Sequence, residues 1–214
     1  MKIIDAEQGS DAWKAARLGK VTASKVADML AKTKTGWGAS RANYRAQLVA
    51  ERLTGTPGDS YTNAAMEWGV EHEPEARAVY EMLTGATVTQ VGAVLHPAIE
   101  MALASPDGLV GDDGLVEIKC PNTATHIDTL LEGAIPSKYV LQMQFQMACT
   151  GRKWCDFVSF DPRMPGDMQM FVNRLIRDDQ AINTIEAEAR VFLAEVDDVI
   201  ARLTATYRIH DAAE

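Results

Sequence analysis

The stretch Ser105-Pro-Asp-Gly-Leu-Val-Gly-Asp-Asp-Gly-Leu-Val-Glu-Ile-Lys-Cys-Pro121 reads as a strand, a tight turn and a second strand. An apolar run, Met101 to Ala104, leads into it, and Gly-Asp-Asp-Gly at 111–114 supplies residues that tolerate positive φ. Residues 115–120 then alternate. In an extended strand successive side chains face opposite ways, so Glu117 and Lys119 project together while Val116, Ile118 and Cys120 point away from them. A hairpin also returns Glu117 towards Asp107, which precedes it by ten residues.

Two carboxylates and an ammonium on one face form a set of hard donors that suits Mg²⁺ or Mn²⁺. A metal held in this way lowers the pKa of its bound water and neutralises a phosphate under attack. Lys119 could orient that water or stabilise the developing charge. An isolated Glu-x-Lys in a strand is usually a surface ion pair worth little. What lifts this one above that reading is Ser-Pro-Asp-Gly at hairpin distance. The pattern D-(x9)-E-x-K is that of the PD-(D/E)XK nuclease superfamily, which this sequence resembles.

At 214 residues the chain suits one domain, 1–214, with enough length for a large core. Its apolar share of 47% and charged share of 24% are those of a soluble globular protein. No apolar run approaches the ~20 residues of a membrane span, and the N-terminus lacks the basic-then-apolar layout of a secretion signal. Cys120, Cys149 and Cys155 have no zinc-type spacing with the histidines and read as reduced core thiols of a cytoplasmic protein. The net charge of −9 argues at first against a polyanionic partner. Its distribution is uneven, however. Residues 11–52 carry nine basic and three acidic side chains, a local +6, whereas residues 177–214 carry four and nine, a local −5. A basic first third and an acidic tail suit one DNA-facing surface and one that repels it.

Taken in order, the chain predicts a short helix over 11–17 capped by Ser10 or Asp11 and a second over 21–32. A mobile basic loop over 33–40 follows, then a helix over 40–53 and a loop over 56–61. A long helix is expected over 62–83. Short strands at 87–91 and 93–95 precede the hairpin. Helices at 122–133 and 137–150, alternating strands at 154–160 and 168–176, and one long helix over 178–207 complete the chain. Helices around a central mixed sheet make an α/β domain.

Three features outside the hairpin bear on its chemistry. Residues 67–77 place Glu67, Glu71, Glu73 and Glu75 on a helix beside the sheet, and spacing alone does not choose among them. On the helix over 139–147, Gln144 falls among Val140, Leu141, Met147 and Ala148, with Gln142 and Gln146 on the opposite side. A glutamine on an apolar face needs a hydrogen-bond partner, structural or functional. Arg17 followed by Thr22 and Ser24 at a helix start could form a phosphate pocket, or the hydroxyls could simply be caps.

Taken together, E-Q-G-x-D-A-W (7–13), R-L-G-x-x-T-A-S (17–24), W-G-x-x-x-E (68–73), S-P-D-G-L (105–109), E-I-K-C-P (117–121), Q-x-Q (142–144) and D-P-R-M (161–164) carry a sharper resemblance. Over nearly its whole length the chain resembles the lambda-type alkaline exonucleases of the YqaJ-like viral recombinase family. The resemblance implies a restriction-endonuclease-like core and metal ligation by Asp107, Glu117 and the carbonyl of Ile118. Lys119 falls on the water-activating lysine, Glu73 on a helix carboxylate that assists a second metal, and Gln144 on a glutamine of the active centre. Arg17, Ser24 and Ser105 match residues that hold a terminal 5′-phosphate. Met66 lies where the family has an apolar wedge at the duplex end, and Lys34 where it has an arginine in a groove-tracking loop.

The activity so implied is a Mg²⁺-dependent 5′→3′ double-stranded DNA exonuclease, with Mn²⁺ as a substitute. It would release mononucleotides and leave 3′ overhangs for single-strand-annealing recombination. The implied assembly is a trimeric ring around DNA, with a single-strand annealing protein as partner. The implied setting is the cytoplasm of a bacterial cell carrying a phage or prophage. The competing readings are a structure-selective endonuclease on the same fold and a non-catalytic DNA-end-binding protein.

Overall fold

The computed structural model describes residues 1–58 and 64–207. Two small sheets and one larger one are wrapped by helices. The N-terminal part contributes β1 (Lys2–Ile4), α1 (Asp11–Arg17), β2 (Val21–Thr22), a 3₁₀ turn (Ala23–Lys25) and the single turn α2 (Val26–Met29). A hairpin, β3 (Lys32–Thr33) and β4 (Gly36–Trp37), leads into α3 (Ala39–Thr54). Helix α4 (Ala64–Thr84) follows, running through Pro74. The start expected for this helix at 62, and the end of the loop expected over 56–61, lie outside the described residues.

Next come β5 (Val88–Thr89), β6 (Ala93–Leu95), β7 (Ala102–Ala104), β8 (Gly108–Val110) and β9 (Gly114–Lys119). The chain closes with α5 (Thr123–Glu132), α6 (Ser137–Thr150), β10 (Trp154–Phe160), β11 (Met170–Ile176) and α7 (Asp179–Tyr207).

The larger sheet has the order β11-β10-β9-β8-β5. Strands β9 and β10 run parallel and every other neighbouring pair is antiparallel, so the sheet is mixed. The β8–β9 hairpin takes the register expected from the sequence, with Gly108 opposite Val116 and Val110 opposite Gly114. Gly111 turns it at φ +50°. Gly114 is there for space, since a Cβ would sit 2.1 Å from the Trp154 ring. The parallel step from β9 to β10 needs a long crossover, which α5 and α6 provide.

The sequence misplaced one local element. The helix expected over 21–32 is a strand, a 3₁₀ turn and one α-turn. Val21 and Thr22 pair in parallel with Ala102 and Leu103, so tertiary pairing overrides the helical pattern there. The loop over 33–40 also contains the β3–β4 hairpin, with Lys34 in its turn.

The core lies on both faces of the larger sheet. On one face Leu115 and Phe157 join Met143, Phe145 and residues of α2, α3 and α7. On the other, Val116, Ile118, Cys120, Val158 and Phe160 pack against Ala76 and Tyr80 of α4. Cys120, Cys149 and Cys155 are buried free thiols. Among the described residues, no helix is long and apolar enough to cross a membrane.

The charge segregation read from the sequence is incomplete. Arg41 and Arg45 both pair with Glu195 of α7, at 2.7 and 3.1 Å, and Arg52 pairs with Asp197 at 2.7 Å. Part of the basic N-terminal set therefore fastens α3 to the acidic helix.

Beyond β10, the buried Asp161 organises the loop to β11. It receives Nε and Nη2 of Arg163 at 2.7 and 2.9 Å and the Thr123 hydroxyl at 2.7 Å. The Arg163 bonds come first among the causes that hold its carboxyl down to about 2, below an ordinary 3.8. A depressed folded-state pKa contributes stability above the unfolded value and loses it as pH falls through the folded one. Asp161→Asn should therefore lower stability at pH 7 by about 1–2 kcal/mol. Denaturant titrations at stepped pH should show the gap to wild type closing between pH 3.8 and about 2.

Candidate active site at the mouth of the hairpin

Asp107 sits one residue before β8, where the backbone ladder of the hairpin gives out. Its Oδ2 accepts the N–H of Ile118 at 2.6 Å, so a side chain takes over from the missing strand. This bond pins Asp107 opposite Glu117. Glu117 is fully buried on the central strand and pairs closely with Lys119. The alternation of β9 thus places both charged side chains on one face, with Val116 and Ile118 in the core behind.

The electrostatics follow from crowding. Burial, then the Glu117 charge, with a further contribution from Glu73, raises the Asp107 carboxyl well above its ordinary range, against the opposing pull of Lys119 and the Ile118 N–H. Burial alone would lower the Lys119 ammonium, but Glu117 and Asp107 outweigh it and hold it above the usual lysine value. Lys119 therefore stays charged at neutral pH. Glu73 approaches from α4 and pairs with Arg77 at 2.5 Å. Its charge also reaches Cys120, whose thiol burial and Glu73 push up to about 12.

Glutamines of α6 complete the surroundings, but not the one singled out in the sequence. Gln142 donates to Oε1 of Glu117 at 2.5 Å, and the fully buried Gln146 donates to Oε2 at 2.6 Å. The expectation that Gln144 belongs to the active centre is corrected. Its Nε2 donates to the carbonyl of Ile176 and its Oε1 accepts the N–H of Asp178, both at 2.9 Å. It is a satisfied structural amide that fastens α6 to the start of α7. Gln142 and Gln146 lie four residues apart on the helix face opposite Gln144, and that spacing was the available signal.

The residues expected to hold a phosphate gather beside this cluster. The Ser105 hydroxyl accepts from Arg17 Nη1 at 3.1 Å and from Trp13 Nε1 at 3.0 Å. The Arg17 guanidinium lies 4.1 Å above the Trp13 ring. Gln8 steadies the neighbouring backbone by donating to the carbonyls of Val91 and Pro106, each at 2.9 Å. Ser24 lies 3.3 Å from Thr22 through their hydroxyls. Arg17 and Ser24 line one cavity of about 170 Å³ together with Lys14, Lys20, Lys25 and Gln47. Burial lowers the Arg17 pKa, partly offset by Tyr44 and Glu51. An anion beside this guanidinium would favour its charged form.

Met66 is 54% exposed in the first turn of α4. Lys34 is exposed at the hairpin tip, away from the carboxylates in sequence, next to Trp37, over which Lys32 and Arg41 stack.

The donor chemistry fits a hard divalent ion. Asp107 and Glu117 present carboxylate oxygens that repel one another, and a cation between them would relieve that repulsion. Among the described residues no three His, Cys, Asp or Glu side chains converge as a cage. Backbone oxygen and water would complete the shell, an arrangement Mg²⁺ favours.

A mixed sheet flanked by helices, with two acids and a lysine at the mouth of its central hairpin, is the PD-(D/E)XK nuclease fold. Residues 12–153 match the YqaJ-like viral recombinase domain, and the chain belongs to that family. The alkaline exonuclease LHK-Exo from Laribacter hongkongensis is 56% identical, with a TM-score of 0.86 over 92% of this chain and 97% of that one. Its complex with dAMP matches with a TM-score of 0.87 at the same identity and coverage. A phage-related exonuclease from Haemophilus somnus 129PT, 17% identical, shares the fold with a TM-score of 0.71 over 86% of this chain and 96% of that one. Comparison with curated protein sequences gives no match.

The two helix amides make separable predictions. Gln146→Leu should weaken Mn²⁺ binding measured by calorimetry about tenfold or more, because Glu117 loses the partner that orients it. Gln144→Ala should change that affinity by less than about twofold, yet cost about 1–3 kcal/mol of stability through the orphaned Asp178 N–H and Ile176 carbonyl. A cation held by Asp107 would compete with its proton, so Mn²⁺ binding should tighten as pH rises, with the change centred above the ordinary carboxylate range.

Proposed function

We propose that this protein is a Mg²⁺-dependent exonuclease that enters linear duplex DNA at a 5′-phosphorylated end and degrades that strand 5′→3′, leaving a 3′ overhang. One observation carries this reading. Ser105 accepts hydrogen bonds from Trp13 and Arg17, which line the phosphate-sized pocket, and Asp107, two residues on, belongs to the carboxylate cluster. Such a spacing suits a terminal phosphate held about one nucleotide from the bond to be cut. The relative LHK-Exo, described as an alkaline exonuclease and studied with dAMP, supports a mononucleotide product.

In this reading Arg17, Ser24 and Ser105 bind the terminal phosphate and set the register of the strand. Asp107, Glu117 and the Ile118 carbonyl would hold the divalent ion, which when bound supplies an activated water and charge neutralisation at the phosphodiester. Gln142 and Gln146 fix the Glu117 carboxylate. Lys119, held as an ammonium, orients the attacking water and stabilises negative charge gathering on the phosphate. Glu73 assists from α4, Met66 helps to part the terminal pair, and Lys34 follows the backbone of the incoming duplex.

The wider reading is a trimeric ring around DNA, with Mn²⁺ able to replace Mg²⁺ and a single-strand annealing protein receiving the overhang. This would place the protein in the cytoplasm of a bacterial cell hosting a phage or prophage.

With Mg²⁺, a 5′-phosphorylated linear duplex should be digested to mononucleotides, a 5′-hydroxyl duplex more slowly, and a covalently closed circle not at all. Cutting of circles and linear ends at equal rates would establish an endonuclease instead, and end binding without any cutting a non-catalytic role. Lys119→Ala should bind ends in a mobility-shift assay with turnover lower by about 10²–10³. Sizing in solution should give three subunits, and a monomer at working concentration would remove the ring.

A further inference from the structure

Helix α4 brings the Glu73 charge to bear on Asp107 and carries the exposed Met66 in its first turn, yet among its described residues only Ala76 and Tyr80, in its second half, are buried. Its first half is fastened differently. The Trp68 ring stacks on His72 with centroids 3.6 Å apart, and His72 Nδ1 lies 3.0 Å from the Trp68 carbonyl. The guanidinium of Arg163 lies 4.2 Å from the Trp68 ring centroid. The Trp68 indole N–H has no hydrogen-bond partner among the described residues, so stacking and packing fix the ring.

Arg163 is itself fixed. Two of its nitrogens and its backbone N–H all bond to Asp161, which is fully buried. The loop holding Asp161 is closed by the Gln169 amide, which donates to the Pro162 carbonyl at 3.0 Å. A guanidinium clamped by a buried carboxylate is a rigid platform, and a cation over an indole face is the favourable aromatic pairing.

We infer that Arg163 is a positioning residue: the Asp161–Arg163–Trp68 stack holds the first turns of α4 so that Met66 meets the terminal base pair, while Glu73 is held separately by Arg77. The inference rests on the exonuclease reading for what Met66 does. The D-P-R-M stretch at 161–164 thereby acquires a task. Arg163 touches neither DNA nor metal in this role, so its removal should act on duplex opening before it acts on hydrolysis.

The test combines hydrogen exchange with initial rates of Arg163→Ala, Arg163→Lys and Trp68→Ala. Rates are read on a blunt 5′-phosphorylated duplex and on the same duplex with its last three pairs mismatched. Arg163→Ala and Trp68→Ala should speed exchange in residues 64–73 and leave residues 179–207 unchanged. Both should slow the blunt end about tenfold or more and the mismatched end by less than about twofold. Arg163→Lys, which keeps the charge without the planar fork, should fall between wild type and Arg163→Ala.

Unchanged exchange over 64–73 in both truncations would overturn the inference, as would equal slowing on the two ends. If wild type digests neither duplex, the exonuclease reading fails by itself, and the exchange data decide whether the stack holds α4.

Discussion

The N–H of Ile118 donates to Asp107 Oδ2 at 2.6 Å, just where the β8–β9 ladder runs out of backbone partners. That bond brings one carboxylate against another, and much of the surrounding structure answers the resulting repulsion. Lys119 offsets the charge from the same strand. Two α6 amides each take one oxygen of Glu117. Glu73 adds a third negative charge from the opposite side of the sheet. A site built in this way favours a cation by its construction, because removing like-charge repulsion is worth more where water is scarce.

The same hairpin organises the neighbouring phosphate-sized pocket. Ser105 and Pro106 precede Asp107 directly, and Trp13, Arg17 and Gln8 all reach them from the N-terminal segment. Two pocket-lining side chains, Trp13 and Arg17, are thus tied by hydrogen bonds to the piece of backbone that carries Asp107. The basic surface around the pocket is smaller than the sequence count implied, since Arg41, Arg45 and Arg52 bind α7. Lys14, Lys20 and Lys25 line that pocket, Lys14 and Lys25 each paired with an aspartate of their own helical turn. Screening by salt would act on these first.

The fold brings Asp107, Glu117 and Lys119 together and departs from the sequence-based expectation at one glutamine. Transfer by motif chose Gln144 from Q-x-Q, where two glutamines stand two residues apart. On a helix such neighbours face different ways, so only one of them could reach Glu117. The structure selects Gln142, adds Gln146 one turn later, and turns Gln144 towards the α7 start.

Alternation in 115–120, the turn at 111–114 and the spacing from Asp107 to Glu117 were sufficient to fix the hairpin and its charged face, and the order of helices and strands gave the mixed α/β class. Those are period-two and short-range constraints, and a strand has only two faces on which to put a side chain. Helices α1, α3, α5, α6 and α7 were legible for the same local reason, through caps and apolar periodicity. Contacts between segments far apart in the chain were not legible. The pairing of Val21–Thr22 with Ala102–Leu103, the grip of α7 on three arginines and the platform of Arg163 beneath Trp68 all join such segments. Each depends on where helices come to rest against sheets, which only the packed chain decides, because burial and mutual shape outweigh local preference wherever the two conflict.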